Sequence, residues 1–250
     1  MARVILAALA MMLASAGAVA ADRTYAAMSL VGDGLLMVQY RAKTGSSLSG
    51  RQRQAIPVTD PVFDRTALLA AEAAVKRAQP NAEVALLAGR DAGLLELQAK
   101  SLGSAGAAQA IADALVPRLP KTAATHLIIV TKAQSASALR VDQSVVDTGP
   151  LEGLGFYVDP SIVTRPPDGS AAGSSQGLLA PFAYFDVALV DLATGRVVGE
   201  RPVYASYAYV ESQTGSLSPW ESLSSQEKMR ILTKLEGDEV GKAVEALLAP

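Results

Sequence analysis

The stretch that most constrains the fold of this chain is PFAYFDVALVDLATGRVVGERPVYASYAYV, residues 181–210. β-Branched and aromatic residues dominate it on both sides of a break at 193–195, and such residues suit a pleated, half-buried surface. Gly195 can take a positive φ in a tight turn, and the Asp191 side chain can bond to the turn backbone. The stretch therefore predicts a long β-hairpin. Pro202 has no N–H to donate, so the second strand is predicted to be an outer or bulged strand.

The upstream sequence alternates between strand-like and helix-like patterns, and two further helices follow the hairpin. The predicted strands cover 25–40 (as a strand pair or a bent strand), 83–89 and 125–132, and the predicted helices cover 64–79, 107–119, 225–235 and 238–248. This order predicts an α/β fold, an α+β mixed sheet in a two-layer or three-layer sandwich. It begins β-α-β-α-β and ends with a long late β-hairpin. Residues 21–250 are expected to form a single α/β domain.

Residues 148–179 differ in texture, because Gly, Pro and Ser are frequent there. Such a segment predicts a long loop in which 153–158 is a small ordered patch that could form one strand. Long loops inside a domain tend to be functional or mobile. One hypothesis makes this loop a lid over a small ligand, so that the protein would be a small-ligand carrier.

The first 20 residues, MARVILAALAMMLASAGAVA, have the pattern of a signal peptide. Arg3 supplies a positive charge, an apolar run follows, and 18–20 form an A-x-A cleavage site. No other apolar run reaches the length that spans a membrane. We therefore expect a soluble, exported, periplasmic protein. The chain contains no cysteine, so it is not expected to be a lipoprotein.

Composition excludes several functional classes. The formal net charge is −2 and the sequence has no basic stripe with interleaved aromatics, so we expect no nucleic-acid partner. Because cysteine is absent, disulfides, thiol nucleophiles, Cys-ligated zinc and iron–sulfur clusters are excluded. His126 is the only histidine and cannot form a metal site alone. We expect no metal site and no cofactor.

One catalytic pattern is present. Residues 173–177, GSSQG, match G-x-S-x-G, in which Ser175 would be the nucleophile of a serine hydrolase. That motif requires a preceding strand, a following helix and a histidine base, whereas here a Gly/Ser-rich stretch precedes it and a strand-like run follows. We therefore assign no catalytic residue and expect no enzyme, and the hydrolase stays as an alternative.

Aromatic residues supply the candidate binding surface. Tyr204, Tyr207 and Tyr209 lie on the second hairpin strand, where they could face a partner or pack across strands. Three further aromatic residues lie in polar or Gly-rich surroundings: Phe156, Tyr157 and Trp220.

LVDLATGRVV, residues 189–198, resembles the strand–turn–strand of the curli-secretion lipoprotein and penicillin-binding-protein-activator class and of the TolB N-terminal domain. The order of elements is similar too. The resemblance implies a non-enzymatic interaction or assembly role in the bacterial envelope. This chain departs from the group in having no lipobox cysteine and no following β-propeller, so membrane anchoring and the TolB architecture are not implied.

These observations favour an exported periplasmic non-enzymatic protein that binds or helps assemble another cell-envelope component. The expected partner is an envelope protein or a peptidoglycan-associated partner. The pattern is compatible with an oligomer.

Overall fold

The computed structural model describes residues 23–32, 34–40, 50–89, 91–120, 123–136, 138–141, 144–164, 175–209 and 219–249. The signal peptide predicted at 1–20 lies outside the described residues. None of the helices in the described ranges has the length and apolar character needed to cross a membrane.

The described chain is a mixed α/β fold, as the sequence predicted. Its strands are β1 (Tyr25–Ser29), β2 (Gly34–Tyr40), β3 (Arg51–Pro57), β4 (Val84–Leu87), β5 (His126–Lys132), β6 (Gln134–Ser135), β7 (Ala138–Val141), β8 (Ser144–Asp147), β9 (Leu151–Thr164), β10 (Ser175–Asp191) and β11 (Arg196–Ser206). Its helices are α1 (Val62–Ala78), α2 (Ala92–Ser101), α3 (Ala107–Leu115) with a 3₁₀ turn at Val116–Arg118, and α4 (Ser225–Leu248). The β-α-β-α-β start and the late hairpin are both confirmed.

Strand β10 is the centre of a nine-stranded mixed sheet in the described part of the chain. On one edge it pairs first with β9 and then with β5, both antiparallel, and on the other edge it pairs with β11. Two groups of strands extend from the edge of β10 that β9 and β5 share. They are β9-β2-β3 on one half and β5-β1-β4 on the other, where β1 is parallel to both of its neighbours.

Three apolar clusters cover the two faces of this sheet. Helices α1 and α4 pack together over one face, with Phe63 and Leu232 among the buried side chains. On the opposite face, α2 and α3 cover the half that contains β1 and β5, around Ile111 and Ile129. The paired strands β7 and β8 contribute Leu139 and Val146 to the third cluster, which lies over β9 and β10.

The predicted hairpin forms, and its turn uses the chemistry expected. Gly195 has a φ of 68°. The Asp191 carboxylate accepts hydrogen bonds from the backbone N–H groups of Ala193 and Thr194, at 2.8 and 3.0 Å. Among the described residues β11 pairs with β10 alone, so the prediction of an outer strand at Pro202 is confirmed. Local turn chemistry and the missing proline N–H were sufficient to predict this element.

Several predicted element boundaries are wrong. The strand predicted at 153–158 inside the 148–179 loop forms, but it is part of the longer strand β9, and 175–179 belong to β10, so the loop is wrong for the rest of those two strands. The lid hypothesis therefore loses most of its segment, and residues 165–174 lie outside the described residues. The two strands in 25–40 form, but β1 and β2 do not pair with each other.

Helix ends also differ from prediction. Gly237 does not split the last helix, because α4 continues through it against α1. Ser224 caps α4 in a capping box with Glu227, one residue before the predicted start of the helix. Tertiary packing along α4 outweighs the roughly 1 kcal/mol by which an interior glycine disfavours a helix.

Candidate functional site

Four side chains share one face of the β10–β11 hairpin where β11 forms the edge of the sheet. Asp186 lies directly opposite Pro202, and Tyr184 lies opposite Tyr204. Side chains two residues apart on a strand point to the same face, so Glu200 and Tyr204 are the diagonal neighbours of Asp186. We name the set Tyr184, Asp186, Glu200 and Tyr204 the acid–tyrosine face.

The aromatic part of this face runs from the core to the surface. The Tyr184 side chain is buried, with 1% exposure, and its ring lies 5.6 Å from the Phe182 ring. Its other neighbour is Tyr204, whose ring centroid is 5.4 Å away at an interplanar angle of 71°. Tyr204 itself is 48% exposed. An edge-to-face pair of this kind holds an exposed ring in a fixed orientation by packing it on a buried one.

In the acidic part of this face, the pKa of the Asp186 carboxyl is shifted. Burial, followed by the negative charge of Glu200, raises the pKa of Asp186 to about 6. Burial and the two carboxylates raise the pKa of the Tyr204 hydroxyl as well. Two carboxyls that share a site favour a bound proton or another positive charge, because either one relieves their repulsion.

The acid–tyrosine face lies between two covering layers. Tyr184 and Phe182 belong to the cluster that includes the side chains of β7 and β8. Val190, four residues beyond Asp186 on the same strand, belongs to the cluster under α2 and α3. Asp186 is only partly buried, whereas its neighbours Phe185 and Val187 are fully buried. The polar residue therefore occupies the gap between the two covers.

This arrangement offers hydrogen-bond acceptors and an aromatic ring face. A guanidinium or ammonium group satisfies both, since it pairs with carboxylates and is attracted to the face of a tyrosine ring. The described residues contain no group of three or more His, Asp or Glu side chains placed to hold a metal ion. The chemistry that the face supports is recognition of a cationic group.

The six predicted binding residues separate into exposed and buried sets. Tyr204 lies in the acid–tyrosine face. Tyr207 is 42% exposed and lies near α4, where Arg230 and Lys234 act on its pKa, which burial raises. Tyr209 is half-buried against the α1–α4 cluster, and its backbone N–H donates to the carbonyl of Leu179 at 2.8 Å.

The other three are packed in the structure. Phe156 is fully buried and contacts Trp220 edge-to-face, with ring centroids 5.7 Å apart. Trp220 is covered by Lys228, whose Nζ lies 4.1 Å from the ring centroid. Tyr157 is fully buried on the opposite face, and its hydroxyl donates to Asp159 at 3.4 Å. Phe156 and Tyr157 therefore cannot contact a partner without a rearrangement.

The residues of the hydrolase alternative are not brought together. Ser175 is the first residue of β10, whereas His126 is paired with Asp191, the last residue of that strand. The strand between the two ends is about 50 Å long at the usual rise of an extended chain. His126 therefore cannot act as a base for Ser175 in this structure.

Sequence reasoning missed Asp186 and Glu200. Asp186 interrupts the apolar run FAYFDVALV, and that lone charge was the available signal. Its importance follows from the register, which puts Glu200 and Tyr204 beside it. Register depends on pairing across the hairpin and could not be assigned residue by residue from composition.

No protein-family model matches the chain, and no curated protein matches it. Among solved structures, the chain is similar to a DUF330 protein from Xanthomonas campestris, at 8% identity and a TM-score of 0.33, over 90% of this chain and 81% of that one. It is also similar to the PelC dodecamer from Paraburkholderia phytofirmans in two crystal forms, each at 12% identity and a TM-score of 0.26, over 92% of this chain and 89% of that one.

TM-scores this low carry no argument about the fold or the function of this chain. The resemblance to the curli-secretion, penicillin-binding-protein-activator and TolB group is not confirmed by these structures and stays a prediction.

Proposed function

We propose that this protein is a non-enzymatic, exported component of the bacterial envelope that binds another envelope component through the acid–tyrosine face. The observation that carries the proposal is that Tyr204 is exposed on the outer strand β11, beside the carboxyls of Asp186 and Glu200. Of five large apolar or aromatic residues that are well exposed among those described, three lie on β11 or directly after it: Val198, Tyr204 and Tyr207.

The chemistry of the face defines the partner. Asp186 and Glu200 carry negative charge, and Tyr204 offers its ring beside them. The partner therefore presents an arginine or lysine side chain at this surface, which pairs with the carboxylates and stacks on the ring. The signal-peptide pattern of residues 1–20 supports an envelope location.

Site-specific photo-crosslinking in cells tests the proposal. A photoreactive phenylalanine replaces Tyr204 in one variant and, as matched controls, Leu69 or Leu86, which are exposed on α1 and β4. We expect one dominant adduct at position 204, attached to a peptide of an envelope protein that contains a basic residue. The adduct should weaken when Asp186→Asn and Glu200→Gln are introduced and when salt is raised. Equal adducts at all three positions, or none at 204, would contradict the proposal.

The non-enzymatic part has its own test. A fluorophosphonate probe labels activated serines, so wild type and Ser175→Ala are compared. We expect no difference between them, because the only histidine lies at the far end of β10. Labelling that requires Ser175 would restore the hydrolase alternative.

A further inference from the structure

The Asp186 carboxyl lies in the acid–tyrosine face without a hydrogen-bond donor of its own. It is partly buried between the fully buried residues Phe185 and Val187. No N–H or O–H group of the described residues donates to it, and the hydroxyl of Thr131, opposite on β5, donates instead to the Asp186 carbonyl at 3.4 Å. The Asp191 carboxylate on the same strand, by contrast, accepts two backbone N–H groups. A carboxyl that loses water without gaining donors takes up a proton more readily.

The charge beside this carboxyl is negative as well. Glu200 on β11 is its diagonal neighbour, and burial followed by the Glu200 charge raises the pKa of Asp186 to about 6. Thr131 on β5 is uncharged. The other titratable groups of the face keep their protons near pH 7, because burial raises the pKa of Tyr184 to about 12 and also raises that of Tyr204. Asp186 is therefore the group of this face that gains or loses charge near pH 6.

The two carboxyls of the face differ in how strongly they attract a cation. Glu200 is exposed, so water and salt screen its charge, whereas Asp186 is partly buried and its charge is screened less. A carboxyl that binds a proton can still form hydrogen bonds, but it loses its charge. Protonation of Asp186 therefore removes the less screened of the two charges that a cationic group would meet.

We propose that the acid–tyrosine face holds its cationic partner only while Asp186 is ionised, so that a proton taken up by this carboxyl releases the partner. This inference rests on the function proposed above and adds the regulation of that site. Proton and partner compete for one carboxylate, so affinity falls about tenfold for each pH unit below about 6. By linkage, a bound partner lowers the pKa of Asp186 in turn.

The titration of Asp186 is measured first, in the protein without a partner. Carboxyl signals of ¹³C-aspartate-labelled protein are followed by NMR across pH, and the signal missing from Asp186→Asn identifies the residue. We expect a midpoint at about pH 6, and a lower midpoint in Glu200→Gln, because that variant removes the neighbouring negative charge. A midpoint near about 4, the value of an ordinary aspartate, would overturn the proposal whatever the partner is.

The release itself is measured by crosslinking at two pH values. The full chain with the photoreactive phenylalanine at position 204 is mixed with detergent-solubilised envelope and irradiated at about pH 7.5 and at about pH 5. We expect the adduct to fall about tenfold at the lower pH, where about one-tenth of Asp186 is ionised. In Asp186→Asn the adduct should be weak at both pH values and equal within about twofold. The probe at position 69 controls for an effect of pH on the photochemistry.

The outcomes separate the release from the function on which it rests. An adduct of equal yield at both pH values would overturn the release and leave the proposed function standing. The same tenfold fall in Asp186→Asn would place the titrating group on the partner, which would also overturn the release. No adduct at either pH would overturn both proposals.

Discussion

The two strands of one hairpin experience different environments. From residue 177 to residue 190, every residue of β10 except Asp186 is buried. The helices and the β7–β8 pair cover its two faces, and neighbouring strands pair with its edges. In β11 only Val203 is fully buried. The hairpin thus joins a strand that holds the core together to a strand that remains accessible. We infer that stability is concentrated on β10 and recognition on β11, and four measurements test this division.

The largest expected effect comes from the core of β10. Phe182 is fully buried, and Phe182→Ala should lower the free energy of unfolding by about 3–5 kcal/mol. Val198 on β11 is 56% exposed, and Val198→Ala should change the free energy of unfolding by less than about 0.5 kcal/mol. Urea unfolding followed by circular dichroism measures both. Similar losses in the two variants would break the division between the strands.

The second effect tests how closely β9 approaches its two neighbours, β2 and β10. A Cβ added at Gly155 would lie 1.9 Å from the carbonyl oxygen of Leu36 and 2.6 Å from the Phe182 ring. Gly155→Ala should therefore cost about 1–3 kcal/mol or more. Gly34→Ala is the control, because its Cβ would meet its nearest neighbour at 3.4 Å. A thermal melt of each variant gives the comparison, and a fully stable Gly155→Ala would show that β9 has room to move.

The third effect concerns the one polar side chain within the buried run of β10. Because the pKa of Asp186 is raised to about 6 in the folded protein, the folded state holds this proton more tightly than the unfolded chain does. Stability should fall as pH rises from about 4 through about 6, by roughly 1 kcal/mol once solvent screening is allowed for. Asp186→Asn should remove that part of the pH dependence.

For Asp191, at the end of the same strand, stability is expected to change with pH in the opposite direction. Hydrogen bonds from the turn backbone lower the pKa of its carboxyl, so its stabilisation is present above the unfolded pKa and is lost as pH falls. Urea unfolding of Asp186→Asn and of Asp191→Asn, across the range from about pH 4 to about pH 7.5, separates the two contributions to stability. A pH profile unchanged in Asp186→Asn would contradict the burial argument.

The smallest effect lies on the outer strand. Tyr204→Leu keeps apolar bulk and loses the edge-to-face contact with Tyr184, which should cost about 0.5 kcal/mol. The same variant should abolish the partner interaction proposed for the acid–tyrosine face. Chemical unfolding and binding are measured on one preparation. A stability loss as large as that of Phe182→Ala would place Tyr204 in the core and remove the case for a binding role.

The hairpin illustrates how far sequence reasoning reached. Gly195, Asp191 and Pro202 each act on their own backbone or on residues two or three positions away, so their effects could be predicted from the chain alone. Tyr204 was predicted as a binding residue because three tyrosines were placed on the second hairpin strand, but that strand ends at Ser206, so Tyr207 and Tyr209 lie beyond it. Phe156 and Tyr157 were named because their surroundings are Gly-rich, but packing of β9 against its neighbours buries both.

Pairings between distant segments were not readable from the chain. β1 and β2 are consecutive and yet lie in different halves of the sheet, because β1 inserts between β4 and β5. The Gly-rich segment around 153–158 forms a strand since Gly155 permits close backbone approach to β2 and β10. Glycine content alone is equally compatible with a loop, which is why 148–179 was predicted as a loop with only one short strand at 153–158.

The amino-acid sequence by itself determined the hairpin, its turn, its outer strand and the alternation of helices with strands, because these features depend on neighbouring residues. Tertiary structure decided which strands pair, which tyrosine stays exposed, and that Asp186 lies beside Glu200. It also brought three separate segments of the chain together around a cavity that the only histidine helps to line. Contacts between residues far apart in the chain create those environments, and no local pattern encodes them.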